Sequence, residues 1–436
     1  MITPNLNPYL RQLEQRAATR WTGRITKVVG NLVESEGPFC SVGDCCEMID
    51  RTGRVYIGEV VGFNGKYVLS MPLERPEGIG FGDRISTRGE LPTMRVSDEM
   101  LGRVLDGNGD PLDSRPAYHA AERFPLHAAP HRPLERAPIT EALGCGIRAI
   151  DGFITCARGQ RLGIFGGSGV GKSTLIGMMA RGSSADLAVL ALVGERGREV
   201  RDYLEKAIGK QGLQNSVVVV STSDQSPLLR IRAALGASAI AEYFCSKGKH
   251  VLLVMDSLTR VAMAQREIGL AAGEPPTARG YTPSVFTLLA RLIERAGHFG
   301  KGSITAFYTV LMEGDDQQDV IVDAVRALLD GHIVLDRRLG NQGHYPAISV
   351  LDSLSRLMPA VAAREAMEKA TRLRRLLANY TASEDMIRVG AYQKGADPLL
   401  DQAIAAMPAI TGFLRQRSDE AAPFAQTVAA LQALPG

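Results

Sequence analysis

The run Gly166-Gly167-Ser168-Gly169-Val170-Gly171-Lys172-Ser173 fits the pattern G-x-x-x-x-G-K-[ST], and it constrains the fold more than any other stretch of the chain. An apolar run at 162–165 precedes it and a helical run at 174–180 follows, so the spacing predicts strand, loop and helix in that order. The glycines let backbone N–H groups turn inward around phosphate oxygens, where side chains would obstruct. Lys172 is then placed to bridge the β- and γ-phosphates, and the Ser173 hydroxyl to ligate Mg²⁺. The helix that begins beside Thr174 adds the partial positive charge of its N-terminus. A nucleoside triphosphate with Mg²⁺ is the ligand this segment calls for, and ATP is the one expected here.

The rest of the chain supplies the expected context. Apolar runs at 187–193, 217–220, 251–255 and 304–310 are short enough for buried parallel strands, and helical patterns at 228–244 and 283–295 alternate with them. That alternation predicts an α/β domain with a mainly parallel sheet covered on both faces. Before it, from residue 21 to about 87, short β-rich runs separated by turns such as Asn64-Gly65 predict a small β-barrel. Residues 102–138, rich in Pro with Asp106-Gly107 and Asn108-Gly109 turns, read as an extended connection. From about Pro359 the pattern is helical and Ala/Leu-rich to the end. The expected division is a helix at 1–20, a barrel at 21–92, a nucleotide-binding domain at 93–358 and a helical domain at 359–436. In the first segment Asn7-Pro8 suits a helix start and Leu6, Leu10, Leu13 and Ala17 recur at helical spacing, which fits either a docking helix or a weakly ordered helix resting on its own domain.

Composition excludes several classes. Fifty basic against 47 acidic residues leave a net charge of +3, which argues against a dedicated polyanion binder, so no nucleic acid is expected. No apolar stretch is long enough to cross a bilayer, and the first 20 residues lack a signal-peptide core, so a cytoplasmic location is expected. Six cysteines (Cys40, Cys45, Cys46, Cys145, Cys156, Cys245) show no C-x-x-C spacing and read as free thiols. The seven histidines form no metal-ligand pattern.

Two further segments carry chemistry. The run from Val251 ends in Asp256, a carboxylate at the sheet's C-terminal edge that can hold Mg²⁺ through water or bond Ser173. Gly194-Glu195-Arg196-Gly197-Arg198-Glu199 follows another apolar strand and reaches the same edge. Hydrolysis needs a group to orient and polarise water, which suits Glu195, while Arg196 could neutralise phosphoryl charge. The competing reading is a plain ion-pair cluster at a helix start.

The stretches GGSGVGKST, GERGREV, VLLVMDSLTRVAMAQREIGLAAGEPP and GHYPAISVLDSLSR resemble the rotary-type ATPases, which include the F-type catalytic subunit and the ATPases of type III protein export. GSITAFYTVLMEGDDQQD and DGHIVLDRRL are most similar to the export enzymes, the flagellar branch above all. The resemblance runs from about residue 21 to 415. It implies a RecA-like P-loop ATPase core with an N-terminal β-barrel and a C-terminal helical domain, assembled as a homohexamer with nucleotide between subunits. It makes Glu195 the catalytic carboxylate and Arg196 and Arg260 phosphate contacts. Tyr345 takes the place of the adenine-stacking aromatic, and Arg356 that of an arginine finger from the neighbour. Implied partners are a central coiled-coil stalk at the loop Gly390–Gly395, a peripheral stator-like regulator on the N-terminal helix, membrane proteins of the export gate, and export chaperone–substrate complexes. The implied location is cytoplasmic, at the inner-membrane export apparatus. Three residues depart from the family's usual pattern: Ser349, which touches no catalytic role the resemblance names, Val261 where an aromatic is usual, and Thr282 where proline is usual. The other readings are a virulence type III secretion ATPase, an ATP synthase catalytic subunit, a ring subunit without hydrolysis, and an RNA translocase stacking bases on Phe39, Tyr56, Phe63 and Tyr67.

Overall fold

The computed structural model describes residues 19–120, 122–129, 131–167, 169–312 and 319–435. The expected N-terminal helix, Ser168 and most of the EGDDQQD stretch lie outside the described residues.

Six strands, β1 (Trp21–Val29), β2 (Leu32–Glu36), β3 (Cys45–Ile49), β4 (Val55–Asn64), β5 (Tyr67–Pro72) and β6 (Arg84–Thr87), close a barrel in the order β1-β2-β5-β4-β3-β6. Alternation along each strand turns Ile25, Val33, Cys46, Met48, Tyr56 and Ile85 into its interior. The Asn64-Gly65 turn is a tight hairpin, with Asn64 opposite Tyr67 and Gly65 at φ +59°, the left-handed region that glycine enters without strain. Of the aromatics a base could stack on, Tyr56 belongs to the barrel core, and Phe39 lies tilted against Trp21 with ring centroids 5.5 Å apart.

The large sheet runs in the order Ile348–Ser355, Gly331–Leu335, Arg161–Gly166, Ser303–Leu311, His250–Asp256, Leu187–Glu195, Ser216–Thr222, Val104–Asp106. All neighbours along this path are parallel except Ile348–Ser355, and the short Gly297–His298 adds an antiparallel pairing to Ser303–Leu311. The Pro-rich stretch is therefore more than a connection, because Val104–Asp106 completes one sheet edge. Its turn residues led the sequence reading away from so short a strand, whose pairing with Ser216–Thr222 is purely non-local.

Between sheet and barrel runs the helix Pro227–Ser246, in which every residue except Glu242 and Ser246 is buried. A helix covered all round needs no apolar stripe. Its start is set by Ser226, whose hydroxyl accepts from Leu229 N at 3.2 Å and donates to Leu73 O of the barrel side at 2.6 Å, with Pro227 as first helical residue. Arg232 on this helix reaches Glu59 of β4 (Nε–Oε1 2.6 Å) and Asn108 (3.0 Å). Burial alone would raise the Glu59 carboxyl, but His127 and Arg232 hold it below the usual range.

Helices Arg364–Arg388, Pro398–Leu414 and Phe424–Ala433 form the C-terminal layer, docked on the short helix Arg148–Phe153 through an edge-on Phe153–Phe413 contact at 6.0 Å. Asp397 caps the second of them by accepting from Leu399 N and Leu400 N, with Pro398 at its first position. All six cysteines are free, and none of the helices among the described residues is long and apolar enough to cross a membrane.

Candidate functional site

Parallel strands put their C-terminal ends on one side, and the chemistry collects there. Arg161–Gly166 leads into the glycine loop, where Gly169 (φ +80°) and Gly171 (φ +94°) take left-handed conformations, and the helix Lys172–Gly182 begins at once. Gly166 serves packing as well, since a Cβ there would stand 2.9 Å from the Leu335 Cβ. Val170 is buried and its side chain does not line the cleft, which leaves only its backbone to face a ligand there.

A cleft of about 640 Å³ opens in front of the loop, lined by Gly167, Gly169, Gly171, Lys172, Ser173, Thr174, Glu195, Arg196, Asp256 and Arg260 among others. Lys172 reaches across to Asp256 (Nζ–Oδ1 2.8 Å), and both side chains are nearly buried. The same carboxylate oxygen accepts from the Thr309 hydroxyl at 2.7 Å. Thr309 escaped the sequence reading because it sits inside an apolar strand, where only the neighbouring strand's end gives its hydroxyl a purpose.

Glu195 ends the strand Leu187–Glu195, at an irregularity in its pairing with Ser216–Thr222 between Val193 and Glu195. Gly194, at φ +72°, makes that irregularity possible and also clears space for Arg260, whose Cβ would lie 2.9 Å from a Cβ on residue 194. Burial, then the nearby charge of Asp256, push the Glu195 carboxyl up to about 7, with Lys172 and Arg260 pulling the other way. A carboxylate poised near neutrality is suited to taking a proton from water. Perturbation alone does not mark a site: Asp151 is also pushed to about 7 by burial, yet it is enclosed and accepts from Cys145 N and Gly146 N at 2.7 and 3.0 Å.

The arginines divide. Arg260 lies in the first turn of helix Leu258–Ala271, lines the cleft, and keeps its buried Nε without a hydrogen-bond partner. Arg196 also faces the cleft but is largely exposed and pairs with Glu199 at 3.5 Å, as the ion-pair reading of that segment expects. Arg356 is elsewhere. Ile348–Ser355 runs antiparallel to Gly331–Leu335 with Gly331 opposite Ser355, and Arg356 N donates to Asp330 O at 2.9 Å. This places it at the N-terminal edge of the parallel strands, exposed, on the side of the sheet away from its own phosphate loop. Tyr345 is half-exposed and flanks the loop, its ring 3.6 Å from where a Gly171 Cβ would be.

The donor set suits a hard divalent cation. The Ser173 hydroxyl and Asp256 carboxylate face one cleft, and the described residues hold no cluster of three His, Cys, Asp or Glu side chains that could cage an ion alone. That fits Mg²⁺, which takes one or two protein oxygens and completes its shell with phosphates and water.

A glycine loop on a parallel sheet, with a strand-end aspartate and a nearby near-neutral glutamate, defines a P-loop ATPase of the RecA-like kind. The nucleotide-binding domain of the ATP synthase alpha/beta family matches residues 146–355, that family's beta-barrel domain matches 25–89, and the T3SS EscN ATPase C-terminal domain matches 362–433. Among relatives, the flagellum-specific ATP synthase of Bacillus subtilis is 49% identical over 416 residues, 95% of each chain. The type 3 secretion system ATPase of Xanthomonas euvesicatoria is 46% identical over 428 residues, 98% of this chain and 97% of that one. The assembled ATPase EscN of the enteropathogenic E. coli type III secretion system superimposes with a TM-score of 0.88 at 43% identity, covering 94% of this chain and 98% of that one. EscN in complex with its central stalk EscO gives 0.87 at 42% identity over the same shares. The chain belongs to the ATP synthase alpha/beta family, in the group that carries a type III secretion ATPase C-terminal domain, and it is an ATPase.

Proposed function

We propose that this chain is the ATP-hydrolysing subunit of a homohexameric motor for flagellar type III protein export. The observation that carries the reading is the position of Arg356, because the cleft built from one copy is lined by Lys172, Glu195, Asp256 and Arg260 among others but not by this arginine, which sits at the opposite sheet edge. In a ring it would meet the neighbour's cleft. A finger of that kind is worth roughly 10³–10⁵ in rate.

ATP would lie with its phosphates on the loop Gly166–Thr174, the Lys172 ammonium between β- and γ-oxygens, and the base against Tyr345. Mg²⁺ held by Ser173 and, through water, Asp256 would screen phosphate charge. Glu195 would take the proton of the water whose oxygen attacks the γ-phosphorus as the bond to the β-phosphate oxygen breaks. Arg260, Arg196 and the partner's Arg356 would balance the charge left on the equatorial oxygens.

Coupling to motion would run through Gln416. Its backbone N donates to Tyr345 O, its Nε2 to Gly146 O, and its Oε1 accepts from Arg148 N, each at 2.9 Å. The nucleotide edge and the C-terminal helices are thus tied at one residue. The working units would be the barrel 21–92, the nucleotide domain 93–358 and the helical domain 359–436. The loop Gly390–Gly395, beside exposed Met386 and Val389, would face a coiled-coil stalk, as EscN is solved with EscO. The N-terminal segment 1–20 would take a stator-like regulator, and chaperone–substrate complexes and the export gate would be met at the inner membrane.

Mixing two inactive variants tests the shared site. Glu195→Gln and Arg356→Ala should each lose most turnover while binding ATP. Their mixture should regain about a quarter of it if subunits assort randomly in the ring. A mixture as inactive as its parts overturns the reading. The flagellar assignment is tested in the native cell, where deletion should abolish flagella. Loss of effector injection with flagella intact would favour the virulence branch, which the 46% identity to the Xanthomonas enzyme keeps in view. ATPase activity strictly dependent on RNA would favour a translocase.

A further inference from the structure

The chemistry above leaves one polar group in the cleft wall unused. Tyr203 is 7% exposed and lines the cleft, and its hydroxyl is buried with no hydrogen-bond partner. An unpaired buried hydroxyl is costly to keep, so its retention beside reacting groups calls for a ligand or a water. Burial, and then the nearby charges of Asp256 and Glu195, hold the phenol well above its ordinary range. It therefore keeps its proton and can act as a donor.

The backbone aims it there. Tyr203 opens the π-helix Tyr203–Ile208, directly after the helix Gly197–Asp202 that follows Glu195 and Arg196. The wider turn puts Tyr203 and Ile208 on the same buried face, with Glu205 and Lys206 left exposed. Gly177 lets this turn press on the phosphate-loop helix, since a Cβ there would stand 2.1 Å from Ala207 O. Arg181, in the last turn of that helix, donates to the same carbonyl. The segment carrying Tyr203 is thus clamped to the helix carrying Lys172 and Ser173.

We propose that the Tyr203 hydroxyl is a positioning group for hydrolysis, donating a hydrogen bond to the Glu195 carboxylate, directly or through one water, in the nucleotide-loaded cleft. The inference rests on Glu195 being the carboxylate that takes water's proton. A donor on one carboxylate oxygen leaves the other aimed at the attacking water, so its loss should slow the chemical step without weakening ATP binding.

Tyr203→Phe in the full-length ATPase, with Glu195→Gln and the double variant, tests it. The expected result is a fall in kcat of about tenfold, with KM for ATP within about twofold. Thermal stability should be equal or higher, because an unpaired hydroxyl is gone. In the Glu195→Gln background the second substitution should add nothing to the single-turnover rate. Wild-type kcat in Tyr203→Phe overturns the proposal, as does a loss expressed in KM, a drop in stability, or an equal further loss in the Glu195→Gln background. Wild-type turnover in Glu195→Gln itself removes the catalytic reading of Glu195 and this inference with it. An inactive Glu195→Gln beside a fully active Tyr203→Phe removes this inference alone.

Discussion

Glu195 and Asp256 show how two carboxylates facing one cleft take different parts. Asp256 is held by Lys172 and the Thr309 hydroxyl, which satisfy one of its oxygens and fix its direction. Glu195 has weaker compensation, so burial and the charge of Asp256 leave it near 7. Below that value Glu195 carries its own proton and cannot accept one from water, and above it the carboxylate is free to do so. The kcat/KM for ATP, which reports the free enzyme, should therefore rise with pH through roughly 6 to 8, a limb absent from the residual activity of Glu195→Gln. Asp256→Asn should lower turnover by about 100-fold or more and weaken the dependence on Mg²⁺, measured by titrating the cation against rate. Both carboxylates were legible in the sequence, because each closes an apolar strand. Thr309 and Tyr203 were not, because a hydroxyl within a buried run announces nothing until its neighbours are known.

Elements are set against one another by a few glycines. Gly194 combines a left-handed backbone with close approach to Arg260, and Gly177 admits the Ala207 carbonyl against the phosphate-loop helix. Neither belongs to the glycine motif. Gly177→Ala should destabilise the fold by about 1–3 kcal/mol in denaturant unfolding, since backbone, not a flexible side chain, stands in the way. It should also slow turnover by moving Tyr203. The long buried helix Pro227–Ser246 was legible as a helix from its length and its Ser226-Pro227 start. That it is covered on all sides was not, because the barrel, the Pro-rich stretch and the sheet reach it from distant parts of the chain. The strand Val104–Asp106 was missed for a related reason: three residues show no period, and the partner that makes them a strand lies over 100 positions away.

Across the whole molecule, the barrel is joined to the core by charge as well as by apolar contact. Glu59 and Arg232 are both nearly buried, so removing one partner strands the other. Glu59→Ala should cost about 3–5 kcal/mol in urea unfolding, while Glu59→Leu combined with Arg232→Met should cost far less. Glu59 is held below its unfolded value, so its contribution is fully present above the ordinary carboxylate range and is lost as pH falls through the depressed one. The proposed shared site belongs to the same scale. One copy carries the phosphate loop and both carboxylates on one sheet edge and Arg356 on the other, so specific activity should fall steeply on dilution as rings dissociate. Light scattering and rate measured on the same samples check this.

The order of residues by itself determined the glycine loop, the strand-end carboxylates, the alternation that makes a parallel sheet, and the β-rich and helical flanks. Those are local patterns, carried by spacing and residue type. Tertiary structure alone decided which side of the sheet each group faces, that Lys172 meets Asp256, that burial leaves Glu195 near 7, and that Tyr203 is turned inward by a widened turn. Proximity, desolvation and direction arise between segments far apart in the chain, and no window of sequence contains both partners.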